Sequence, residues 1–192
     1  MTAINISGRL SFEHIFVADS SNGSAPAYSA TVLIDKSDQA QIQKIRAEIQ
    51  RVAADKWKDK APGLLKSLYA TEKLCLRDGD NKEYDGYAGM MYVTSRNKAR
   101  PTVVDRRCNP VTEADGLVYS GCYVNARIEL WAQDNANGKR VNAKLLGIQF
   151  VRDGDAFGAG SAPAKPTDFS DLGDGDPAPA SASASVGGNP WD

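Results

Sequence analysis

The sequence has few of the residues on which metal binding and redox chemistry usually depend. Its 192 residues include a single histidine and three cysteines, Cys75, Cys108 and Cys122, with no CxxC pair. A structural zinc site groups its ligands more tightly, and a disulfide framework normally uses an even number of cysteines. We therefore expect three reduced thiols, no metal and no organic cofactor.

Catalytic motifs are missing as well. Residues 78–86, DGDNKEYDG, begin like a calcium loop, but its sixth position is Glu83 instead of glycine and its twelfth is Gly89 instead of glutamate. The glycines of residues 154–160 are not followed by the GK[ST] of a phosphate-binding loop. A nuclease needs clustered carboxylates, and other hydrolases need a nucleophile with its base. The sequence therefore predicts a protein that is not an enzyme.

Membrane and export signals are equally scarce. No run of 18 apolar residues occurs, and the N-terminal MTAINISGRL lacks the charged-then-apolar order of a signal peptide. We expect a cytosolic protein without membrane contact.

The charges that are present are unevenly divided. Residues 1–152 hold 22 Lys and Arg against 17 Asp and Glu, a net charge of +5, whereas residues 153–192 hold Lys165 and seven Asp, a net charge of −6. Gly, Ala, Pro, Ser and Asp dominate this second part, which has too few apolar residues to build a core. We predict a folded domain over 1–152 and a disordered acidic tail over 153–192.

Two places in the tail depart from its uniform composition. Phe169 follows Asp168 in the acidic section, and the chain finishes with Trp191 and Asp192. A tryptophan at the tip of a disordered segment has no packing role there, which favours a peptide that docks into a partner protein. A linker remnant is the alternative.

Strand periodicity begins near the N-terminus. Residues 3–18 read as one bent strand or a strand pair, in which Leu10, Phe12, His14 and Phe16 share one parity. This parity predicts that His14 is packed and hydrogen-bonded in the core. A second strand follows from Tyr28 to Ile34.

One long helix and a hairpin account for most of the remaining pattern. Over Ser37 to Lys60, apolar residues recur at spacings of three and four, at Ile42, Ile45, Ile49 and Val52. A strand from Leu117 to Gln133 alternates between core and outer residues. Asn137-Gly138 predicts the turn into a return strand over Val141–Arg152. Many strands with one long helix favour a small, mainly β barrel.

The stretch from Gly86 to Arg107 carries the strongest functional signal. It opens with Tyr87 and Tyr92 and ends with five basic residues among twelve, opposed only by Asp105. Bases stack on aromatic rings while cations follow the phosphates, which is the design of a groove for single-stranded nucleic acid. The strand before the hairpin adds an outer row with the same character. The candidate DNA-binding residues are Tyr87, Tyr92, Arg96, Lys98, Arg100, Arg106, Arg107, Tyr123, Arg127, Trp131 and Lys144.

Two segments resemble the single-stranded DNA-binding proteins of tailed bacteriophages. They are GYAGMMYVTSRNKARPTVVDRR and VYSGCYVNARIELWAQDNANGKRVNAKLLGIQFVRDGDAFG. The resemblance implies a five-stranded, partly open OB-fold barrel with nucleic acid across one face. It also implies a tail, matched in character only, that competes with DNA and recruits replication proteins such as a DNA polymerase in the cytoplasm of an infected host. The early position of the helix is unusual for an OB-fold.

Two other functional interpretations stay open at this point. A structural or adaptor protein would use its tyrosines in the core and its tail as a spacer. An RNA-binding or strand-annealing barrel would use the same stacking, which distinguishes the two sugars poorly without a 2′-hydroxyl contact. The sequence also leaves the oligomeric state open, with self-association as one option.

Overall fold

The computed structural model describes residues 3–20 and 25–157. Within these ranges the chain forms seven strands and two α-helices, in the order β1 (Ala3–Asp19), β2 (Ala27–Asp35), α1 (Gln39–Trp57), α2 (Ala61–Ala70), β3 (Leu76–Asp78), β4 (Met90–Asn97), β5 (Thr102–Val104), β6 (Tyr123–Asn135) and β7 (Gly138–Arg152). Three 3-10 turns lie at Lys58–Lys60, Gly79–Asn81 and Glu113–Asp115.

Five of the strands close into a barrel. The antiparallel order β4–β2–β1–β6–β7 returns to β4 through a parallel pairing of Ser95 with Ala143, while β3 extends β4 and β5 extends β7. This connectivity is that of an OB-fold, so the predicted fold class is confirmed. The helices enter between the second and third barrel strands, as the sequence order required.

The predicted helix and hairpin are confirmed with small changes of boundary. The four apolar residues of the helical stripe are buried in the main core together with the inward side of β6, and the Asp38 side chain accepts from the Gln41 N–H at the helix start. The hairpin pairs Asn135 with Gly138. A second helix, α2, follows, and Pro62 and Gly63 lie in its first turn, where proline needs no N–H partner.

The parity predicted for β1 is wrong after Leu10. The register with β2 shifts between Ser11 and His14, and Phe12 has a φ of 47°. A bulge adds a residue to one strand and so reverses which side chains face inward. As a result Ile15 is buried while Phe12 and His14 are exposed, and the prediction of a core histidine is corrected.

The three cysteines are free thiols, with Cys75 and Cys122 buried and Cys108 exposed. Burial raises the pKa of Cys75 to about 12 and that of Cys122 to about 11. Within the described ranges, no three His, Cys, Asp or Glu side chains are grouped closely enough to hold a metal ion. None of the helices in those ranges is long and apolar enough to cross a membrane.

Candidate nucleic-acid interface

A groove of about 620 Å³ lies where β4 approaches the β6–β7 hairpin. We call it the tryptophan groove, lined by Ala25, Ala27, Cys75, Arg77, Thr94, Arg96, Asn97, Lys98, Trp131, Gln133, Asn137, Val141, Asn142 and Ala143. Three of these side chains are cationic and none is a carboxylate. The lining therefore combines positive charge with one large aromatic ring.

Strand alternation places the main residues of this groove. Val93 and Ser95 of β4 are buried, so Thr94 and Arg96 face outward. Trp131 is on the outer side of β6, opposite Asn142 of β7, and 40% of its surface is exposed. The Arg96 guanidinium donates to the carbonyl of Ala25 at 2.8 Å, which holds it at the groove wall. The structure thus brings together Arg96, Lys98 and Trp131 of the predicted set, and adds Arg77, which the sequence analysis missed.

Tyr87 and Tyr92 do not present their rings to solvent. They are 2% and 4% exposed and pack with Leu33 in a second apolar cluster on the outer side of β2 and β4. The Tyr87 hydroxyl donates to Ser11 Oγ at 3.4 Å, and burial raises the pKa of Tyr87. Because a base needs an open ring face, their assignment as stacking platforms is corrected.

Two other aromatic residues cover this buried pair. Phe12 is 53% exposed and Tyr84 is 55% exposed. The Tyr84 ring centroid lies 5.0 Å from that of Phe12 and 5.4 Å from that of Tyr87, which in turn lies 5.3 Å from Tyr92. We call these four residues the aromatic array. The sequence analysis missed its exposed members because parity placed Phe12 in the core and Tyr84 lay in the rejected calcium loop.

The carboxylates of that loop have a structural role. Asp78 and Asp80 each bind Lys36 Nζ, at 2.7 and 2.5 Å, and Asp80 also accepts from the Gly89 N–H at 2.7 Å. The hydrogen bond from Lys36 lowers the pKa of Asp80. These contacts fix the β3–β4 connection, which carries Tyr84 and Tyr87.

Tyr123 is half-buried on the outer side of β6, and one face of its ring is already occupied. The Arg152 guanidinium lies 3.3 Å from its centroid, and that of Arg9 lies at 5.8 Å. A base stacking on Tyr123 would therefore have to use the other face or displace Arg152.

The remaining predicted cations lie on other parts of the surface. Arg127 lines a second depression, of about 330 Å³, together with Asn5, Thr102, Cys108, Asn125 and Gln149; we call it the Arg127 depression. Arg106 and Arg107 are exposed in the neighbouring turn, whose Asp105 accepts from the N–H groups of Arg107 and Asn109. Hydrogen bonds from Asn109 lower the pKa of Asp105, so the one acid in the basic stretch serves its turn.

The predicted cations are exposed and largely unneutralised. Six of them have no carboxylate partner anywhere in residues 3–20 and 25–157: Lys98, Arg100, Arg106, Arg107, Arg127 and Lys144. Arg100 instead lies 6.0 Å from the ring of Phe16, and Lys144 pairs across the strands with Glu129 in register but not in an ion pair.

The chain beyond β7 continues along the barrel. Over Asp153–Phe157 the Tyr119 hydroxyl donates to Gly154, and the Phe157 N–H donates to the carbonyl of Ser120. The Arg9 guanidinium donates to the Asp155 carbonyl at 2.6 Å and lies 4.1 Å from the Phe157 ring centroid. These five residues, placed by the sequence analysis at the start of the tail, contact the barrel. Phe169, Trp191 and Asp192 lie outside the described residues.

A closed five-stranded barrel of OB-fold connectivity, with an exposed indole and cations in one groove, has the features of a single-stranded nucleic-acid-binding barrel. The sequence model of one family, described as Enterobacter phage Enc34, ssDNA-binding protein, matches residues 1–177. The chain belongs to this family of phage single-stranded DNA-binding proteins. Membership confirms the resemblance seen in the sequence and places the chain among binding proteins, not enzymes.

Individual relatives agree with this family. Protein p50 of Acyrthosiphon pisum secondary endosymbiont phage 1 is 46% identical over 170 residues, covering 85% of this chain and 90% of the relative. The single-stranded DNA-binding protein from bacteriophage Enc34, solved in complex with ssDNA, is 29% identical with a TM-score of 0.68, covering 81% of this chain and 89% of that one. The single-stranded DNA-binding protein gp2.5 of bacteriophage T7 shares the fold, at 14% identity, a TM-score of 0.56 and coverage of 79% and 92%.

Proposed function

We propose that this chain binds single-stranded DNA without regard to base sequence, during phage DNA replication or recombination in the cytoplasm of the infected host. The observation that carries the proposal is the tryptophan groove, in which an exposed Trp131 lies among Arg77, Arg96 and Lys98 with no carboxylate in the lining. Stacking on an aromatic ring tolerates any base, which suits a protein that coats whatever strand is exposed.

In this mechanism the strand enters the groove with a base against Trp131 and its phosphates near Lys98 and Arg96. Other exposed cations then offer a path for phosphates beyond the groove: Arg127 in the Arg127 depression, Arg106 and Arg107 in the neighbouring turn, and Arg100 and Lys144 elsewhere on the surface. Tyr123 stays a candidate platform if a base displaces Arg152 from its ring. The buried rings of Tyr87 and Tyr92 support the surface without touching DNA.

A titration with oligo-dT at several salt concentrations tests the proposal. Each phosphate neutralised on a single strand contributes about −0.7 to the slope of log affinity against log salt. The double variant Arg96→Ala/Lys98→Ala is expected to bind more weakly and to have a shallower slope.

A matched control pair is Arg46→Ala/Lys66→Ala, because these cations line a separate depression between α1 and α2. It should leave both the affinity and the slope unchanged. Equal slopes for the groove variant and wild type would exclude phosphate contacts there. The same titration with oligo-U tests RNA binding, and no binding of either polymer would favour an adaptor protein.

The acidic tail is the second component of the proposal. A segment of net charge −6 that is tethered to a basic domain reaches a local concentration on the order of millimolar if its link is flexible. We infer that it competes weakly with DNA for the cationic surface and is displaced by a long strand. The disorder and the domain boundary that this requires stay predictions from composition.

The tail also offers a recruitment site for replication proteins. Phe169 and the terminal Trp191-Asp192 are its aromatic and acidic features, of the kind that dock as short peptides. Removing Trp191 and Asp192 is expected to preserve DNA affinity and to abolish binding of a replicative DNA polymerase in a pull-down. Retained polymerase binding would show that the tip is not the docking element.

A further inference from the structure

The exposed members of the aromatic array are unusual for residues that serve packing alone. Phe12 and Tyr84 each leave about half of a large ring in water, at 53% and 55% exposure. Both stand on Tyr87, which is buried against Tyr92. The two exposed rings, of Phe12 and Tyr84, therefore pack on the buried pair of rings, Tyr87 and Tyr92.

The backbone of Phe12 adds a second anomaly. Its φ of 47° lies in the left-handed region, which disfavours any residue with a Cβ and is usually occupied by glycine or asparagine. The bulge at this point turns the ring away from the core, where strand parity would have buried it. Strained backbones persist where the surrounding structure imposes them, and they cluster at ligand sites.

The Tyr84 ring packs against the rings of Phe12 and Tyr87, and its backbone is held by the surrounding loop. Its carbonyl accepts from the Tyr87 N–H at 3.2 Å, within the loop that Lys36, Asp78 and Asp80 hold together. A ring fixed in advance loses little conformational freedom on binding, so it can bind a flat ligand at low entropic cost. The pair is therefore preorganised.

The array lies on the same side of the barrel as the tryptophan groove. Tyr92 has the same parity on β4 as Thr94 and Arg96, and four residues along a strand span about 13 Å. Arg77 connects the two places, because it lines the groove and its guanidinium lies 5.9 Å from the Tyr92 ring centroid. A strand that leaves the groove along β4 reaches the array.

The charges beside the aromatic array favour binding of an uncharged base over binding of a phosphate. Glu83 and Asp85 flank Tyr84, and neither has an ion-pair partner in the part of the chain that the structure describes. The guanidinium of Arg9, close to Phe157, is already engaged with two backbone carbonyls. Phosphate binding is therefore disfavoured at this place, while base stacking needs no cation.

We propose that Phe12 and Tyr84 form a second base-binding site, which stacks an unpaired base of the same DNA strand that occupies the tryptophan groove. The inference rests on the proposed function and deepens it. The groove supplies the salt-dependent contacts, whereas the array supplies a contact that salt does not weaken.

The test compares Tyr84→Ala and Phe12→Asn with wild type in oligo-dT titrations at several salt concentrations. Each variant is expected to bind about tenfold more weakly, the order of effect of losing one stacked base, with the salt slope unchanged. Asparagine tolerates a left-handed backbone, so Phe12→Asn should melt no lower than wild type. The control is Tyr69→Ala, which removes a tyrosine of similar exposure, 50%, from α2.

A photocrosslink to wild-type protein gives an independent readout. An oligonucleotide carrying 5-iodouracil is expected to crosslink to Phe12 or Tyr84, and mass spectrometry identifies the peptide. If Tyr84→Ala and Phe12→Asn bind DNA as tightly as wild type, the second site is wrong. The Arg96→Ala/Lys98→Ala variant tests the proposed function independently. Loss of binding to a Lys- and Arg-rich peptide, with DNA affinity intact, would also overturn it and assign the array to a cationic protein partner.

Discussion

Two tryptophans of the barrel occupy opposite environments. Trp57, at the end of α1, is 7% exposed and donates its indole N–H to Asp134 Oδ2 at 3.0 Å. Trp131 is 40% exposed and faces the groove. A buried, hydrogen-bonded indole serves stability, whereas an exposed one beside cations is available to a ligand.

Fluorescence separates the two roles. In a Trp191→Phe background, saturating oligo-dT is expected to quench part of the emission, because a base stacks on Trp131. Adding Trp131→Phe should abolish the quenching, and Trp131→Ala should weaken binding about tenfold or more, the range of one lost stacking contact. Emission from Trp57 serves as the internal control. Equal quenching with and without Trp131 would show that DNA does not stack on this ring.

Cys108 allows a footprint of the DNA path. Burial raises the pKa of Cys75 to about 12 and of Cys122 to about 11, so at pH 8 both stay protonated and inaccessible. A disulfide reagent should therefore modify one thiol in the native protein and three after denaturation. Because Cys108 lines the Arg127 depression, bound oligo-dT should slow its reaction. An unchanged rate would confine DNA to the other surface.

Residue patterns predicted direction better than exposure. Alternation correctly placed Trp131 on the outer side of its strand. Tyr92, which was chosen for its place beside the basic residues, also lies on the outer side of its strand but is buried, because Tyr87 and Phe157 form a further layer outside the barrel wall. A two-residue period predicts on which face of the sheet a side chain lies. Whether that side chain is buried there depends on tertiary contacts.

At the scale of elements, local periodicity was sufficient for α1 and for the β6–β7 hairpin. Their signals, an apolar stripe and an Asn-Gly turn, lie within one segment. The bulge of β1 was not predictable, since a Phe in a left-handed conformation has no sequence signature. Nor was the parallel closure of Ser95 with Ala143, which joins residues 48 positions apart. Such pairings depend on the whole topology.

The contact between β7's extension and the barrel depends on Gly121. Its φ is +112°, and a Cβ there would lie 2.1 Å from the Asp155 carbonyl oxygen. Gly121→Ala is expected to lower the free energy of unfolding by about 2–3 kcal/mol, since it adds a clash to the strain of a positive φ. It should also make residues 153–157 more sensitive to a protease. Denaturant titration and limited proteolysis measure these effects.

Gly89→Ala provides the matched comparison for that variant. Gly89 also has a positive φ, +75°, but a Cβ would meet nothing within 4 Å. Gly89→Ala should lower the free energy of unfolding by about 1 kcal/mol, which is the backbone strain alone. Equal losses of stability in the two variants would mean that residues 153–157 move aside freely.

Across the whole molecule, charge is divided along the sequence. Residues 1–152 have a net charge of +5, with several exposed cations that form no ion pair among the described residues, whereas residues 153–192 have a net charge of −6. An intramolecular acidic segment lowers DNA affinity without any change in the groove, since it competes at a fixed local concentration. This competition is electrostatic, so salt must weaken it.

Ending the chain after Phe157, which keeps the segment bound to the barrel, is therefore expected to tighten binding of short oligo-dT at low salt. The difference should vanish near 1 M salt, where the screening length falls to about 3 Å. A full-length variant with the five aspartates of 158–192 changed to asparagine should behave like the shortened chain, because it keeps the length and removes the charge. If the shortened chain binds no better than the full one at low salt, the acidic residues do not mask the DNA surface. If only the shortened chain binds better, bulk and not charge is responsible.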